Sequence, residues 1–332
     1  MLGVSDVVLV TGGTGFTGAA LVRRLCELGC EVRVLARASS DRSQFADLPI
    51  VWMEGNVYDP EIVKNSVEGV QYIFHVAAAY REAKIDSSVY YKVHVESTKL
   101  LAEAAMLNSC FERFVHISTV GVLGHVTTPP ADESTPYNPG DIYQKTKMEA
   151  EKWLINFAKE NAFPMTIVRP AAIYGPGDRR LLKVFKLAKL PLVPLLGYTE
   201  GLYHLIHVDD LVAFMIHVAD HEKTKNKIYI CGNPEATTIQ GIISITSEYF
   251  GKKASFLRIP AWPFFLLGHV CERLCKPLNI EPPIYPRRVA FFTKDRSFDT
   301  RKMREDTGFE YRFSNEEGLK KTAEWYRENQ WL

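Results

Sequence analysis

The sequence has almost no excess of charge of either sign. Its 332 residues contain 40 Lys and Arg against 39 Asp and Glu, a formal net charge of +1. A protein that binds nucleic acid through its overall electrostatic field usually carries a clear basic excess. We therefore expect no nucleic-acid partner, and a small-molecule substrate has to be argued from a local site.

Cysteine is scarce, and its spacing does not suit a metal. The six cysteines lie at positions 26, 30, 110, 231, 271 and 275, with no CxxC pair and no Cys/His cluster at zinc spacing. The pattern predicts buried, reduced thiols and no bound metal.

Long uninterrupted apolar runs are also missing. The most apolar stretch, 262–275, is interrupted by Pro263, Glu272 and Arg273 and is too short to cross a bilayer. The first residues lead directly into a strand pattern, without the segments of an export signal. We therefore expect a cytoplasmic enzyme without an integral membrane segment. A stretch 262–275 that lies on a membrane surface and collects a lipid substrate is an alternative.

The sequence does contain apolar, β-branched runs that alternate with helical patterns, which is typical of βαβ units around a parallel sheet. It predicts an α/β fold with a doubly wound parallel sheet of the Rossmann type. Strands are predicted at 7–10, 31–36, 50–53, 72–76, 114–118, 165–168 and 227–231. Helices are predicted near 59–68, 87–109, 142–161 and 315–329.

A glycine-rich loop joins the first predicted strand to the helix that follows it. Gly12 allows a sharp turn, Gly15 lets a pyrophosphate approach the amides at the helix start, and Gly18 permits close packing of helix and strand. This context predicts a dinucleotide site rather than an ordinary turn. Its predicted cofactor contacts are Gly12, Thr14, Gly15, Phe16 and Thr17.

Arg37 follows the second predicted strand, where the adenosine ribose of a bound dinucleotide should lie. NAD enzymes commonly offer a carboxylate to the 2′-hydroxyl at this point. A guanidinium cannot accept from a hydroxyl, but it pairs with a 2′-phosphate, with Ser39, Ser40 or Arg42 as helpers. The sequence therefore favours NADP. NAD is the alternative if Arg37 only stacks on the adenine.

The pattern changes after Arg169, where prolines at 170, 176, 191 and 194 interrupt the alternation. We predict a dinucleotide-binding domain over 1–170 with a return segment at about 207–235. A smaller, interleaved substrate-binding lobe is predicted over 171–206 and 236–332. The charged segment 293–304 is predicted to be a solvated connection.

Tyr143 and Lys147 lie four residues apart at the start of a predicted helix, with Asp141 as a possible cap. This spacing puts both side chains on one face. A phenol is a poor acid or base at neutral pH, and a neighbouring ammonium favours its ionised form. The pair alone is a weak signal, but a glycine loop upstream makes it a strong one.

Together these motifs resemble the extended short-chain dehydrogenase/reductases, the NAD-dependent epimerase/dehydratase family. The nearest resemblance is to its branch of dihydroflavonol reductases and 3β-hydroxysteroid dehydrogenases. Further matching blocks occur in the expected order along nearly the whole chain, at 56–57, 77–79, 169–177 and 206–211.

The resemblance implies roles for the active-site residues. Tyr143 would exchange a proton with the substrate oxygen, and Lys147 would hold the nicotinamide ribose and lower the Tyr143 pKa. Thr119 aligns with the substrate-orienting Ser or Thr of the family, and Ser118 is the less favoured alternative. Family members often form homodimers through two helices, here 87–109 and 142–161, so we expect a homodimer.

The resemblance also implies the walls of the site. Cofactor contacts beyond the glycine loop are expected at Arg37, Asn56, Val57, Ala77, Ala78, Ala79, Tyr143, Lys147, Pro170 and Ile173. Substrate contacts are expected at Tyr80, Thr119, Val120, Tyr174, Leu192 and His207.

Three positions depart from the family pattern. Asn56 stands where the family more often has Asp. In the block 91–98 the family pattern is closer to NVxGT, so His94 replaces Asn and Ser97 replaces Gly. A place for His94 in the proton relay and packing against a neighbouring helix are both open at this point.

The residues of the small lobe indicate which class of substrate to expect. Sugar-nucleotide members typically place an arginine just before the block 206–211 to grip a diphosphate, and 202–207 contains none. The apolar runs 192–196 and 262–267 suit a hydrophobic ligand better, and the alternative is that both runs only form the core of the small lobe. We predict an NADPH-dependent reductase, or reversible alcohol dehydrogenase, of a hydrophobic ketone. The alternatives are a nucleotide-sugar epimerase or dehydratase, for which Arg179, Arg180 and Lys183 could grip an anion, and a non-catalytic cofactor sensor.

Overall fold

The computed structural model describes residues 2–79, 86–197, 201–275, 282–283 and 295–332. Its strands, in chain order, are β1 Val7–Thr11, β2 Glu31–Ala36, β3 Ile50–Glu54, β4 Tyr72–His75, β5 Arg113–Ile117, β6 Met165–Pro170, β7 Ala172–Tyr174, β8 Val193–Leu196, β9 Leu202–Tyr203, β10 Leu205–His207, β11 Lys227–Cys231, β12 Thr237–Thr238 and β13 Phe256–Ile259. Its α-helices are α1 Phe16–Glu27, α2 Pro60–Val67, α3 Ser87–Tyr91, α4 Ser97–Met106, α5 Ile142–Asn161, α6 Leu182–Leu187, α7 Val208–Asp220, α8 Ile239–Tyr249, α9 Trp262–Cys275, α10 Arg301–Thr307 and α11 Asn315–Glu328.

Seven strands form one parallel sheet in the order β11-β6-β5-β4-β1-β2-β3. The chain moves outward from β1 to β3, then returns to β4 on the other side of β1. In such sheets ligands bind at the carboxyl ends of the strands, where the strand order reverses. The prediction of a doubly wound α/β fold is confirmed.

Alternating side chains of the strands pack into two separate cores. Val8 and Val10 of β1 face helices α1 and α7, whereas Leu9 faces α2, α4 and α5. The near-continuous apolar runs of the sequence therefore reflect strands that are buried on both faces.

A third core belongs to the smaller lobe and is built around α6, α8 and α11. Three two-stranded pairs, β10 with β7, β12 with β9 and β13 with β8, join the segments of this lobe. The limits drawn from the sequence for the two domains stay a prediction.

The prediction of a solvated connection at 293–304 is wrong for the described residues from 295 onward. Helix α10 begins at Arg301, and Met303 is fully buried in the same core as α1 and α7. Thr307, one turn later, is also buried, so this short helix has an apolar face between its charged residues. The prediction followed the number of charged residues and overlooked the one-turn spacing of Met303 and Thr307.

The predicted helix 87–109 also differs from the observed structure. A π-helical turn, Lys92–Glu96, separates α3 from α4 and contains His94. Such turns are rare and often occur at functional sites.

Helix α9 contains the apolar stretch noted in the sequence. It exposes Trp262, Leu266, Val270 and Leu274. Within the described ranges, no helix is long and apolar enough to cross a membrane.

Candidate active site

A cleft of about 900 Å³ opens where β1, β2, β3, β4 and β5 end. Its walls are the glycine loop, the segments after β2, β3 and β4, the end of β5, the first turns of α5, and residues 173 and 177–180. Among the described side chains, no group of three or more His, Cys, Asp or Glu is arranged to hold a metal.

The glycine loop packs its backbone so closely that two of its positions have no space for a side chain. Gly12 has φ +70°, and a Cβ at this position would lie 2.7 Å from the Ala77 backbone. A Cβ at Gly18 would lie 2.1 Å from the Gly12 carbonyl oxygen. Helix α1 begins at Phe16 without a side-chain cap and without an acidic residue in its first turn, so its amide groups face the cleft. This cradle fits the pyrophosphate of a dinucleotide.

Arg37 and Ser40 line the cleft beyond β2, and Arg37 has no ion pair with another described residue. The lining residues around them, at 35–36 and 55–56, carry no carboxylate. Arg42 differs, because it pairs with Glu54 at 2.9 Å and stacks over Trp52 at 4.8 Å. Arg37 is therefore the available cation at this end.

Segments after β3 and β4 supply the next walls, and the residues named from the sequence meet there. The lining contains Asn56, Val57, Ala77, Ala78 and Ala79. The N–H of Ala77 donates to Thr11 Oγ1 at 3.3 Å, which ties the β4 segment to the end of β1.

Helix α5 brings Tyr143 and Lys147 into the cleft. Asp141 caps the helix by accepting from the Gln144 N–H at 2.7 Å. The Lys147 ammonium donates to the Ile117 carbonyl at 2.8 Å, and only 1% of the residue is exposed. Burial lowers the Lys147 pKa to about 8, although the Glu151 carboxylate opposes this shift. Lys147 is therefore charged at neutral pH.

Ser118 and Thr119 have exchanged the expected places. Ser118 lines the cleft, and its buried Oγ has no hydrogen-bond partner among the residues described. Thr119 Oγ1 instead accepts from the Gly121 N–H at 3.0 Å and caps the 3₁₀ turn Val120–Leu123. Neither Thr119 nor Val120 belongs to the lining. Of these two hydroxyl residues, Ser118 is therefore the one that faces the cleft.

Several other residues named from the sequence lie apart from the cleft. Pro170 is buried at the end of β6, whereas Ile173 does line the cleft. Leu192 is 49% exposed just before β8. Tyr80 lies outside the described residues.

Tyr174 and His207 pack on each other in the core of the lobe rather than on the cleft. Their rings meet edge to face at 5.4 Å, and both residues are buried. A Cβ at Gly318 of α11 would lie 2.2 Å from the Tyr174 hydroxyl, so close helix packing holds this ring. His207 Nδ1 accepts from the Asp209 N–H and caps α7.

The lining also includes residues that the sequence interpretation did not assign to it. Asp86, Val89 and Val93 come from α3, its cap and the π-helical turn. A helix near 87–109 was predicted, but its sequence gave no signal that these three residues face the cleft. Asp86 caps α3 by accepting from the Ser88 N–H at 2.7 Å.

Asp178, Arg179 and Arg180 form a further wall of the cleft. Arg180 pairs with Asp178 at 2.9 Å and donates to the Ile173 carbonyl, and its guanidinium lies 5.6 Å from the Phe16 ring. Arg179 stacks over Trp331 at 5.1 Å. Both cations are thus engaged with protein groups.

The comparison with known families agrees with this geometry. The family model described as "NAD dependent epimerase/dehydratase family" matches residues 8–232, from β1 to just beyond β11. This chain belongs to that family. It is an NAD-dependent enzyme of the extended short-chain dehydrogenase/reductase type, as the motifs predicted.

Relatives along the whole chain carry several activities. A putative dihydroflavonol 4-reductase of Synechocystis sp. is 28% identical and covers 98% of this chain and 96% of its own. Sterol demethylase protein B of Methylococcus capsulatus is 30% identical over 86% of this chain and 85% of its own. A 3-beta-hydroxysteroid dehydrogenase of Mycolicibacterium neoaurum is 28% identical, with 96% and 91% covered.

Solved structures show the same fold. The crystal structure of gox2253 superposes with a TM-score of 0.81 at 28% identity and covers 99% of this chain and 100% of its own. A UDP-glucose 4-epimerase from Thermotoga maritima, solved with UDP-glucose, has a TM-score of 0.77 at 24% identity, with 98% and 99% covered.

Proposed function

We propose that this enzyme is an NADPH-preferring reductase, or reversible alcohol dehydrogenase, of a hydrophobic ketone. The observation that carries the proposal is the convergence of Ser118, Tyr143 and Lys147 on one cleft with the glycine loop. A hydroxyl, a phenol and an ammonium are the groups needed to polarise a carbonyl and protonate its oxygen.

The protein groups share the work as follows. The Ser118 hydroxyl donates a hydrogen bond to the ketone oxygen, and Tyr143 transfers its phenolic proton to that oxygen as the alcohol forms. The Lys147 ammonium stabilises the negative charge left on Tyr143. A nicotinamide dinucleotide held by the glycine loop would supply the hydride for the carbonyl carbon, and oxidation of the alcohol would reverse each transfer.

NADPH is preferred because of the groups at the end of β2. Arg37 is available to pair with a 2′-phosphate, and the lining around it offers no carboxylate for a 2′-hydroxyl. Arg42, a helper in the sequence interpretation, is held by Glu54 and Trp52.

A hydrophobic ketone is preferred over a sugar nucleotide because the two arginines of the 177–180 wall are already engaged with protein groups. Asp178 offsets the charge of Arg180, and Arg179 stacks on Trp331. Val89 and Val93 add apolar surface to the lining. The relatives named as dihydroflavonol reductase, steroid dehydrogenase and sterol demethylase protein point the same way.

The test is to follow NADPH oxidation with a panel of ketones: a steroid 3-ketone, a dihydroflavonol and a 2-alkyl-3-oxoalkanoate, with UDP-glucose as the sugar substrate. We expect turnover of at least one ketone and loss of more than 99% of it in Tyr143→Phe. Turnover of UDP-glucose with retained NAD, and of no ketone, would instead establish the epimerase alternative.

The sequence-based expectations of a homodimer and a cytoplasmic location are part of this proposal. Helix α5 and the α3–α4 segment are the proposed dimer surface. Size-exclusion chromatography with light scattering measures the assembly directly. A mass of one chain at micromolar concentration would contradict the dimer.

A further inference from the structure

His94, one of the departures from the family pattern, makes two side-chain hydrogen bonds behind the wall of the cleft. Its Nε2 accepts from the Ala79 N–H at 3.0 Å, and its Nδ1 lies 2.8 Å from Thr146 Oγ1. Ala79 is a wall of the cleft, and Thr146 lies between Tyr143 and Lys147 on α5. The imidazole thus connects the segment after β4 to the helix that carries the proton chemistry.

The donors around His94 define its tautomer. Ala79 N–H can only donate, so Nε2 is unprotonated and the ring hydrogen is on Nδ1. Thr146 Oγ1 donates its single hydrogen to the Ile142 carbonyl at 2.9 Å, so it accepts from Nδ1. A protonated imidazole would set two donors against each other at Ala79. Burial, aided by the charge of Lys147 and by His75, lowers the His94 pKa to about 2.

The His94 ring also contacts the catalytic phenol. It meets the Tyr143 ring edge to face, with centroids 5.2 Å apart and planes at 86°. The residue is completely buried in the π-helical turn. Its position is therefore defined on four sides, by Ala79, Thr146, Tyr143 and its own helix.

Ser97, the neighbouring departure, anchors the same helix through a second histidine. Its hydroxyl donates to the Val93 carbonyl and lies 3.1 Å from His75 Nε2. The other nitrogen of His75 lies 2.7 Å from Thr11 Oγ1 at the end of β1. Each of these two departures therefore contributes a link between this helix and a wall of the cleft.

We propose that His94 is a positioning residue that, as a neutral hydrogen-bond bridge, holds the Ala79 backbone and the Tyr143 ring in their catalytic arrangement. The proposal rests on the proposed function, because it takes Tyr143 as the proton donor. It assigns His94 no proton transfer, since a ring with this tautomer and these partners stays neutral throughout the working pH range.

The test compares three variants at saturating NADPH, with a ketone of the proposed panel that the unaltered enzyme reduces. His94→Leu removes both hydrogen bonds, and we expect kcat to fall at least tenfold while KM changes less than threefold. His94→Asn keeps a donor and an acceptor in one group, and we expect it to recover part of the loss. His116→Leu is the matched control: this histidine is equally buried, but neither ring nitrogen has a partner in the described structure, so kcat should stay within twofold.

An equal loss of kcat in His94→Leu and His116→Leu would overturn the proposal that His94 acts as a bridge. So would a His94→Asn variant with no higher kcat than His94→Leu. An active Tyr143→Phe would contradict the proposed function itself, which separates the two failures. Nitrogen NMR of the unaltered protein gives an answer even if a variant does not fold. We expect the His94 ring to show the Nδ1–H tautomer unchanged from pH 5 to 9, and an Nε2–H tautomer or a titration would overturn the proposal.

A different observation, the outer surface of the lobe, supports a second inference. Trp262, Leu266, Val270 and Leu274 of α9 recur every four residues and are 69%, 60%, 47% and 66% exposed. Within α9, whose residues are all described, Gly268 is the one buried residue. A helix that only covers a core turns its apolar side chains inward, whereas α9 turns this apolar stripe toward the solvent.

Basic residues accompany this stripe. The segments 181–197 and 251–275 contain seven Lys and Arg against one acidic residue, Glu272, in a chain whose net charge is +1. The two segments are joined by the pairing of β8 with β13, and the Lys252 ammonium lies 3.4 Å from the Lys189 carbonyl. Leu257 and Leu192 add half-exposed apolar surface.

We infer that this apolar and basic surface, formed by α9 and the β8–β13 edge, docks on an anionic lipid bilayer. Apolar side chains that enter the interface and lysines that face acidic headgroups are the two contributions that bind a peripheral helix. A second copy of the chain fits less well, because a symmetric contact would bring the lysines of both copies together.

Flotation with phosphatidylcholine vesicles, with and without 30% phosphatidylglycerol, tests the docking. We expect the full chain to float with the anionic vesicles, and the double variants Trp262→Ser/Leu266→Ser and Lys252→Glu/Lys253→Glu to lose at least 80% of that binding. Leu107→Ser is the matched control, because Leu107 is 87% exposed on another surface. No binding of the full chain, or equal binding by all variants, would overturn the inference. So would a dimer that Trp262→Ser/Leu266→Ser dissociates.

Discussion

Ser118 and Thr119 are adjacent hydroxyls with different surroundings. The backbone at Thr119 is extended, with φ −162° and ψ 145°, and successive side chains of an extended chain point to opposite sides. One hydroxyl of the two therefore faces the cleft, and the other turns to the 3₁₀ turn behind it. The family pattern favoured Thr119, whereas the geometry at the end of β5 favours Ser118.

Ser118→Ala should lower kcat by about 100-fold, the usual effect of removing one donor to a developing oxyanion. Thr119→Val should leave kcat within threefold and lower the free energy of unfolding by about 1 kcal/mol, because it removes a cap. Steady-state kinetics and urea unfolding measure the two effects. A larger loss of kcat in Thr119→Val than in Ser118→Ala would instead make Thr119 the substrate-orienting hydroxyl.

Arg37→Asp tests the cofactor preference at the end of β2. It removes a charge-assisted bond and adds an acceptor for a 2′-hydroxyl, so the NADPH Kd should rise about 10–100-fold and the NADH Kd should fall. Fluorescence titration measures both constants. Arg42→Gln is the control, because its partners are Glu54 and Trp52, and it should leave the ratio of the two Kd values unchanged. Equal Kd values for both cofactors in the unaltered enzyme would contradict the preference.

Helix α10 shows at the element scale how spacing outweighs composition. Five of its seven residues are charged, yet Met303 and Thr307 lie one turn apart and are both buried. Arg301, Arg304 and Glu305 are exposed, whereas Lys302 reaches the sheet and donates to the Ile228 carbonyl at 2.9 Å. A segment far along the chain thus packs on the sheet that the first half builds.

Met303→Ala should lower the free energy of unfolding by about 2–5 kcal/mol, the usual cost of truncating a buried methionine. Met106→Ala, at a residue that is 48% exposed, should change it by no more than about 0.5 kcal/mol. Urea denaturation followed by circular dichroism compares the two. Similar small effects would mean that α10 is not part of the core.

For the whole molecule, the buried Lys147 makes stability depend on pH. Burial lowers its pKa to about 8 from the usual 10.5, so between these values the unfolded chain binds more protons than the folded one. Stability therefore rises with pH in this window. Below pH 8 both states are protonated, and the folded protein bears the full cost of the buried ammonium.

The contribution of Lys147 is the difference between the wild type and Lys147→Met, which keeps the side-chain length without the charge. Between pH 8 and 9.5 the free energy of unfolding should rise by about 2 kcal/mol more in the wild type than in the variant. Urea unfolding of the two cofactor-free proteins measures this rise. Contributions from other titrating groups are the same in both proteins and cancel in the comparison. Parallel curves would mean that the lysine is solvated in the folded state.

The sequence by itself determined what depends on near neighbours in the chain. The strand periodicity, the glycine loop and the four-residue spacing of Tyr143 and Lys147 predicted the fold class and the dinucleotide cleft, because turns, caps and helix faces are local. The tertiary structure alone decided the contacts between distant segments. It placed His94 between Ala79 and Thr146, turned Ser118 rather than Thr119 toward the cleft and buried Met303 against the sheet. Such contacts depend on how strands and helices pack, and short sequence patterns carry no record of that packing.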